Sequence, residues 1–384
     1  MKILYFNYGQ YNRNLIMANL SLLGHEVISF AGHPANYDMD AKLVEEMLVV
    51  ANKEKVECIF SGNFIPFVAL VADTLKVPYV SWSEDSPSLT SLSPSAKLSC
   101  NRMYVFDKEQ SEKLKASNDV AKIYHMPLAT DPVYFRNVVK NAPIEGMFDV
   151  SFVGNLYRGI EFDRIDFNKD NAFLNGYLEG MLEAQHNVMG YNFMGRLIDA
   201  DTASVLMKMS GTKVPDDFYV DNKVIATYML DKKLAQIERY RYLKAIGDHF
   251  DLSIFTASEK YDDVNAHWNG FVDYEKEMPL VFSKSRINLN FTPRMIHSGI
   301  SLRVLDVMAC GGFLLSNYQP EIDEYFEDGV DLVMFEDEED MLEKIDYYLS
   351  HEDERREIAQ NGFSKVLYGH TYRQAFEKIF NENM

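Results

Sequence analysis

Short apolar runs alternate with helix-spaced segments along most of this chain, and that alternation restricts it to a narrow group of folds. Lys2–Phe6, Glu26–Phe30, Cys58–Phe60, Pro78–Ser81, Arg102–Phe106 and Lys122–His125 read as strands. Asn12–Leu23, Ala41–Asn52 and Pro66–Leu75 carry helical spacing, the first of them stopping at Gly24. Short strands that are apolar throughout, with helices between them, imply a parallel sheet covered on both faces. The rhythm restarts at Phe148–Val153 and resumes after an interruption with strands at Asp251–Phe255, Arg286–Phe291, Phe313–Ser316 and Asp331–Phe335. Helices are expected there at Pro279–Ser283, Ser301–Ala309, Met341–Leu349, Asp353–Asn361 and Tyr372–Phe380.

Two α/β domains follow from this, and at roughly 100–200 residues per domain the 384-residue length agrees. The first is expected over residues 1–140 and the second over 147–365. Residues 131–146, with two prolines and no clear period, read as the linker. Residues 160–245, rich in helix formers and Met, read as helices inserted near the start of the second domain. Ligands of such sheets sit at the carboxyl ends of the strands.

A net charge of −20 argues against general nucleic-acid binding and against a polybasic membrane anchor. It leaves room for an anionic small ligand, because a local cluster of cations can dominate a cleft. The three cysteines, Cys58, Cys100 and Cys310, are far apart and lack CxxC spacing, so neither a disulfide framework nor a structural zinc site is expected. The first apolar run is too short for a signal peptide, and no stretch approaches the roughly 20 apolar residues of a membrane span. A cytoplasmic protein is the expectation.

The most informative stretch is KSRINLNFTPRMIHSGISLRVLDVMACGGFLLSNYQP, residues 284–320. From Met278 to Leu305 there is no carboxylate, yet Lys284, Arg286, Arg294, His297 and Arg303 lie in that gap. In so acidic a chain this suits a phosphate site, although a buried strand and its loop also lack charges. The strand runs into the loop Thr292–Ser298, and a helix starts near Gly299–Ser301. Its first amides and positive dipole end form an anion site, which Gly299 lets a ligand approach. The predicted ligand-binding residues here are Arg294, His297, Ser298, Gly299, Ile300, Ser301 and Arg303. Asp306 lies five residues past Ser301, about 7 Å along a helix, a spacing that suits a ribose beside a diphosphate. Arg303 and Asp306, at i and i+3, also read as an ordinary ion pair on a helix surface.

In the first domain, Asp85 and His125 fall at or just after strand ends and are candidates for a catalytic base. Asp85 before Ser-Pro also reads as turn text, and His125 as a core histidine. The loop Asn7-Tyr8-Gly9-Gln10 follows the first strand and is a candidate sugar or acceptor loop; it is neither a GxGxxG sequence nor a P-loop. Asp38-Met39-Asp40 and Asp199-Ala200-Asp201 resemble metal-binding Asp-x-Asp strings, but each sits at an expected helix start, where Asp caps. No metal or cofactor is expected. The acidic run Glu336–Asp340 reads as a loop entering a helix, and the Met-rich stretch Met181–Met209 as core filling.

SGISLRVLDVMACGGFLLSNYQPEIDEYFEDGVDLVMF is similar to the C-terminal signature of CgeB-like (spore-maturation-type) glycosyltransferases. FDVSFVGNLYRG, NGFVDYEKEMPLVFSKSRINLNFT, VPYVSWSEDSP, MYVFDKEQ and YHMPLATDPVYF fit the same pattern, which weakens over 160–245. The resemblance implies a GT-B fold: two Rossmann-like domains facing each other across a cleft, with the final helix, residues 366–384, returning to the first. It implies a nucleotide-sugar donor, UDP-linked by family habit, bound by the second domain without metal. The acceptor is left unidentified, and the activity would be a hexosyl- or N-acetylhexosaminyl transfer. Arg158 matches a basic loop that touches phosphate, and Gly270-Phe271-Val272 matches the region that contacts the base. Related retaining enzymes carry a Glu-x7-Glu motif whose second Glu binds ribose. Asp306 stands at that place, and the first Glu would fall at Ser298, so this chain departs from the pattern. The rival readings are a nucleotide-sugar 2-epimerase on the same fold and a non-catalytic nucleotide- or sugar-binding module.

Overall fold

The structure is a computed structural model that describes residues 1–140, 147–167, 171–213 and 219–382. The chain divides into two compact units, Met1–Asp131 with Tyr368–Met384, and Pro132–Leu367.

The N-terminal unit runs β1 (Lys2–Asn7), α1 (Arg13–Leu22), β2 (Glu26–Ala31), α2 (Ala41–Glu54), β3 (Cys58–Gly62), α3 (Pro66–Leu75), β4 (Tyr79–Ser83), β5 (Asn101–Val105), α4 (Lys108–Ser117) and β6 (Lys122–His125). Its six strands are all parallel, in the order β2-β1-β3-β4-β5-β6. Every residue of β3 and β4 is buried, as strands covered on both faces must be. α2 starts where Asp40 accepts the amide of Leu43 at 3.1 Å, and α3 has Pro66 in its first turn, where the missing N–H costs nothing.

The second unit runs α5 (Pro132–Lys140), β7 (Phe148–Val153), α6 (Ala172–His186), α7 (Met194–Leu197), α8 (Ala200–Ser210), α9 (Asn222–His249), β8 (Leu252–Phe255), β9 (His267–Asn269), α10 (Met278–Lys284), β10 (Ser285–Asn290), α11 (Leu302–Ala309), β11 (Leu314–Asn317), α12 (Pro320–Tyr325), β12 (Val333–Phe335), α13 (Glu338–Ser350) and α14 (Glu352–Gly369). Its sheet is also six-stranded and parallel, in the order β12-β11-β10-β7-β8-β9. The last helix, α15 (Tyr372–Glu377), belongs to the N-terminal unit. Thr371 caps it in a capping box, and Tyr372 and Phe376 pack edge-on against Trp82.

Elements α5, α4 and β9 depart from the sequence expectation. Residues 132–140, expected as linker, form α5, because Pro132 opens a helix well and Phe135 is fully buried beside Tyr274. The rest of that expected linker, 141–146, lies outside the described residues. α4 was hidden by its polarity, since only Ser111 and Leu114 of its ten residues are buried. β9 is only three residues long and sits at a sheet edge. Within the inserted region, helices α6 to α9 share a core built from Leu178, Met194, Leu206 and Leu230. Among the described residues, no helix is long and apolar enough to cross a membrane.

Candidate functional site

In an open parallel sheet the crevice for a ligand lies at the carboxyl ends of the strands, where the winding reverses. In the second unit the chain leaves β7 toward β8 on one side and later returns to lay β10 on the other. The reversal therefore falls between β7 and β10. One residue bridges it. Arg239, on α9, donates to the carbonyl oxygen of Asn155, just past β7, and to that of Phe291, just past β10, the latter at 2.9 Å.

Arg239 is 8% exposed, its Nε has no partner, and its guanidinium lies over the rings of Tyr157 and Phe152. Burial lowers its pKa; Tyr157 and Glu238 oppose that fall, and the positive charge of Arg303 adds to it. Arg303 stands in the first turn of α11 and touches the Met278 sulfur and the Phe282 ring. Burial lowers its pKa too, against the fields of Asp306, Tyr274 and Cys310. Among the described residues neither arginine has a carboxylate within ion-pair distance.

The start of α11 completes the arrangement. Ser301 is its N-cap residue but makes no side-chain cap bond; its hydroxyl faces the Asn290 side chain at 3.3 Å instead. The loop before it is fixed by a buried amide network. Thr292 N–H donates to Asn317 Oδ1 at 2.7 Å, and Asn290 Nδ2 donates to Thr292 and Ser316, each at 2.9 Å. The uncapped first amides therefore sit on a rigid support, on the strand-end side of the sheet. Two desolvated cations and a helix start can hold a diphosphate and neutralise charge growing on it.

Several predicted site residues stand elsewhere. Arg294 is 5% exposed and bonds Glu238 of α9 through Nε at 2.9 Å, with Nη2 at 2.8 Å from the same oxygen. The Arg294 guanidinium is thus engaged in a buried ion pair. Asp306 is 1% exposed and accepts the Tyr274 hydroxyl at 3.1 Å. It is sealed from solvent, and its charge opposes the fall in the Arg303 pKa. Arg158 is exposed but donates to the carbonyls of Glu259 and Lys260 and stacks on Tyr261, which ties it to a neighbouring loop. Ser298 donates to the buried Glu321 at 2.7 Å. His297 is part-buried, and Gly299 and Ile300 are buried. Phe271 is 62% exposed just past β9. Asp40 and Asp199 of the two Asp-x-Asp strings cap α2 and α8.

Arg239 and Glu238 are the residues that the sequence reading missed. Both lie on the stripe Ala235, Tyr242, Leu243 and Ile246 that α9 buries, and two charges at apolar-face positions were the available signal. A cavity of about 580 Å³ lies on another face of α9, lined by Phe162, Leu178, Leu182 and Ile237 and flanked by Lys233 and Arg241. It contains none of the strand-end residues.

In the N-terminal unit the winding reverses between β1 and β3. Asn7-Tyr8-Gly9-Gln10 follows β1 there. Gly9 has φ +101°, which explains the glycine, and its amide donates to Asn7 Oδ1 at 3.0 Å. The Gln10 amide is buried over Gly62, where a Cβ would stand 2.4 Å from Nε2. Asp85, after β4, accepts from Asn63 Nδ2 at 2.7 Å. It is exposed, yet protein surrounds its carboxylate closely; that partial desolvation raises its pKa against the Asn63 hydrogen bond. His125 ends β6 at the sheet edge, three strands from the reversal, and its Nε2 is 3.3 Å from the Phe106 carbonyl oxygen.

The doubly wound units can be set beside known structures. A glycosyltransferase from Rickettsia africae ESF-5 superposes with a TM-score of 0.52 at 11% identity, covering 100% of this chain and 99% of its own. Sucrose-phosphate synthase from Thermosynechococcus elongatus gives 0.51 at 11% identity, with 100% and 98% covered. The chain has the GT-B fold. Alr3699/HepE of Anabaena, solved in complex with UDP-glucose, has a TM-score of 0.50 at 11% identity, with 99% of each chain covered. Residues 234–381 match the family model described as glycosyl transferase-like. The match begins in α9, five residues before Arg239. No curated protein matches the sequence.

Proposed function

We propose that this protein is a glycosyltransferase that moves a hexosyl or N-acetylhexosaminyl group from a UDP-sugar to an acceptor hydroxyl. The observation that carries the reading is Arg239, a buried guanidinium that bonds the carbonyl oxygens of Asn155 and Phe291 at the strand ends on either side of the winding reversal, with Arg303 in the first turn of the helix that follows β10. As the glycosidic bond breaks, negative charge grows on the leaving diphosphate. The arginines and the α11 start stabilise it more in the transition state than in the ground state, which is where catalysis arises. The same groups supply the neutralisation that a divalent cation gives in other sites, so turnover is expected to persist in chelator. The preference for UDP draws on the neighbour solved with UDP-glucose and on the glycosyl transferase-like match.

The test is titration calorimetry with UDP and uridine at one salt concentration. UDP should bind at least about 100-fold more tightly, because charge-assisted contacts of roughly 1.5–3 kcal/mol each go to the phosphates. Equal affinities would mean that the arginines do not see the diphosphate.

A further inference from the structure

The cavity on the inserted helices has walls of two kinds. Its floor is apolar: Leu178 and Leu182 of α6 are buried, and Ile237 of α9 and Phe167 are half-buried. The Phe167 ring leans on Phe162, with centroids 5.6 Å apart and an interplanar angle of 44°. Its sides are polar, and their charges are matched. Lys233 Nζ donates to Asp163 at 2.8 Å and to Gln236 at 2.7 Å, and Gln236 Nε2 donates to Asp163 at 2.9 Å. Arg241 holds Glu183 with both terminal nitrogens, at 3.2 and 2.6 Å. Glu179 is exposed and accepts the Asn175 amide at 3.0 Å. Helical spacing produces this mixture. Leu178, Glu179, Leu182 and Glu183 share one face of α6, and Lys233, Ile237 and Arg241 recur every four residues on α9.

Such a lining selects its ligand class. An anion meets three carboxylates and two cations that are already ion-paired. A wholly apolar ligand would strip water from the polar sides and return no hydrogen bonds. The complement is a neutral molecule with apolar faces and a rim of hydroxyls, each able to donate and to accept. A saccharide is built that way: its C–H faces suit Phe167 and Ile237, and its hydroxyls suit Asp163, Glu179 and the two cations. The volume of about 580 Å³ lies within the range of small-ligand sites.

We propose that this cavity binds a neutral oligosaccharide, so that the inserted helices act as a glycan anchor. Only the use of the anchor rests on the glycosyl-transfer reading above: the anchored glycan is the acceptor class. Ile237 and Arg241 stand two positions before and after Arg239, and two residues turn a helix through about 200°. The cavity therefore lies across α9 from the strand ends, a helix width of about 10 Å away, and the anchored sugars are not the ones that react.

The test is saturation-transfer NMR on the full chain, titrated with maltose, cellobiose, lactose and N,N′-diacetylchitobiose. At least one should bind, and saturating UDP should leave its Kd unchanged. Phe167→Ala removes the ring, and Glu179→Ala removes an exposed acceptor. Each should raise that Kd about 10-fold while UDP affinity stays as in the wild type. Because Glu179 is exposed, its variant keeps the test valid even if Phe167→Ala folds poorly. Failure of all four disaccharides to bind overturns the proposal. So does binding that UDP displaces, or that Glu179→Ala leaves unchanged, since the sugar would then sit elsewhere. A wild type that binds the disaccharide in this cavity but does not bind UDP would leave the anchor standing and remove the glycosyl-transfer reading instead.

Discussion

Replacing Arg239 with methionine removes the guanidinium while keeping most of the buried stem. Two opposing terms set the effect on folding. The carbonyls of Asn155 and Phe291 lose their donor, at a net cost of about 0.5–1.5 kcal/mol per hydrogen bond. Against this, burial makes the charged form of Arg239 unfavourable in the folded state, so removing the charge gives part of that back. The net loss of stability should be at most about 2 kcal/mol, a shift of a few degrees in Tm for a chain of this size. The effect on ligand binding has no such compensation. One lost guanidinium–phosphate contact of roughly 1.5–3 kcal/mol weakens UDP about 10- to 150-fold. Calorimetry with UDP and a thermal melt on the same preparation separate the two. A variant that melts far below the wild type would show Arg239 to be a structural strut, and one that binds UDP as the wild type does would refute its role at the diphosphate.

The buried pair Glu238–Arg294 should behave in the opposite way. Glu238→Gln leaves a guanidinium buried without its counter-charge, and a loss of about 3–5 kcal/mol is expected from urea unfolding; an unchanged midpoint would show the pair to be slack. Asp85 has a folded pKa above its unfolded value, so its charge opposes folding at neutral pH, and that penalty fades as pH falls through the interval between the two values. Asp85→Asn should therefore raise Tm at pH 7, with the gain shrinking toward pH 4. A gain that grows on acidification would contradict the raised pKa.

Local signals served the strands well. Phe148–Val153 and Lys122–His125 have the expected limits, because short apolar runs between turns admit few alternatives. Asp40 and Asp199 cap helices as their positions suggested. α4 was missed because a polar surface helix has no apolar stripe to read, and α5 because Pro132 and Pro143 together suggested a linker. The gap without carboxylates holds two arginines whose surroundings differ in the structure. Arg294 and Arg303 look alike in sequence; only the crossing of α9 over the strand ends decides that Glu238 neutralises one of them. The same crossing delivers Arg239 from 52 residues before Phe291, a separation that no local pattern encodes. Asp306 was given a ligand role on spacing, and burial against Tyr274 was invisible at that level.

The structure of the protein crystallised with UDP tests the central claim most directly. The diphosphate should lie within hydrogen-bond reach of both the Arg239 and Arg303 guanidiniums and face the first amides of α11. Clear density for UDP at another place, with those two side chains unengaged, would contradict it.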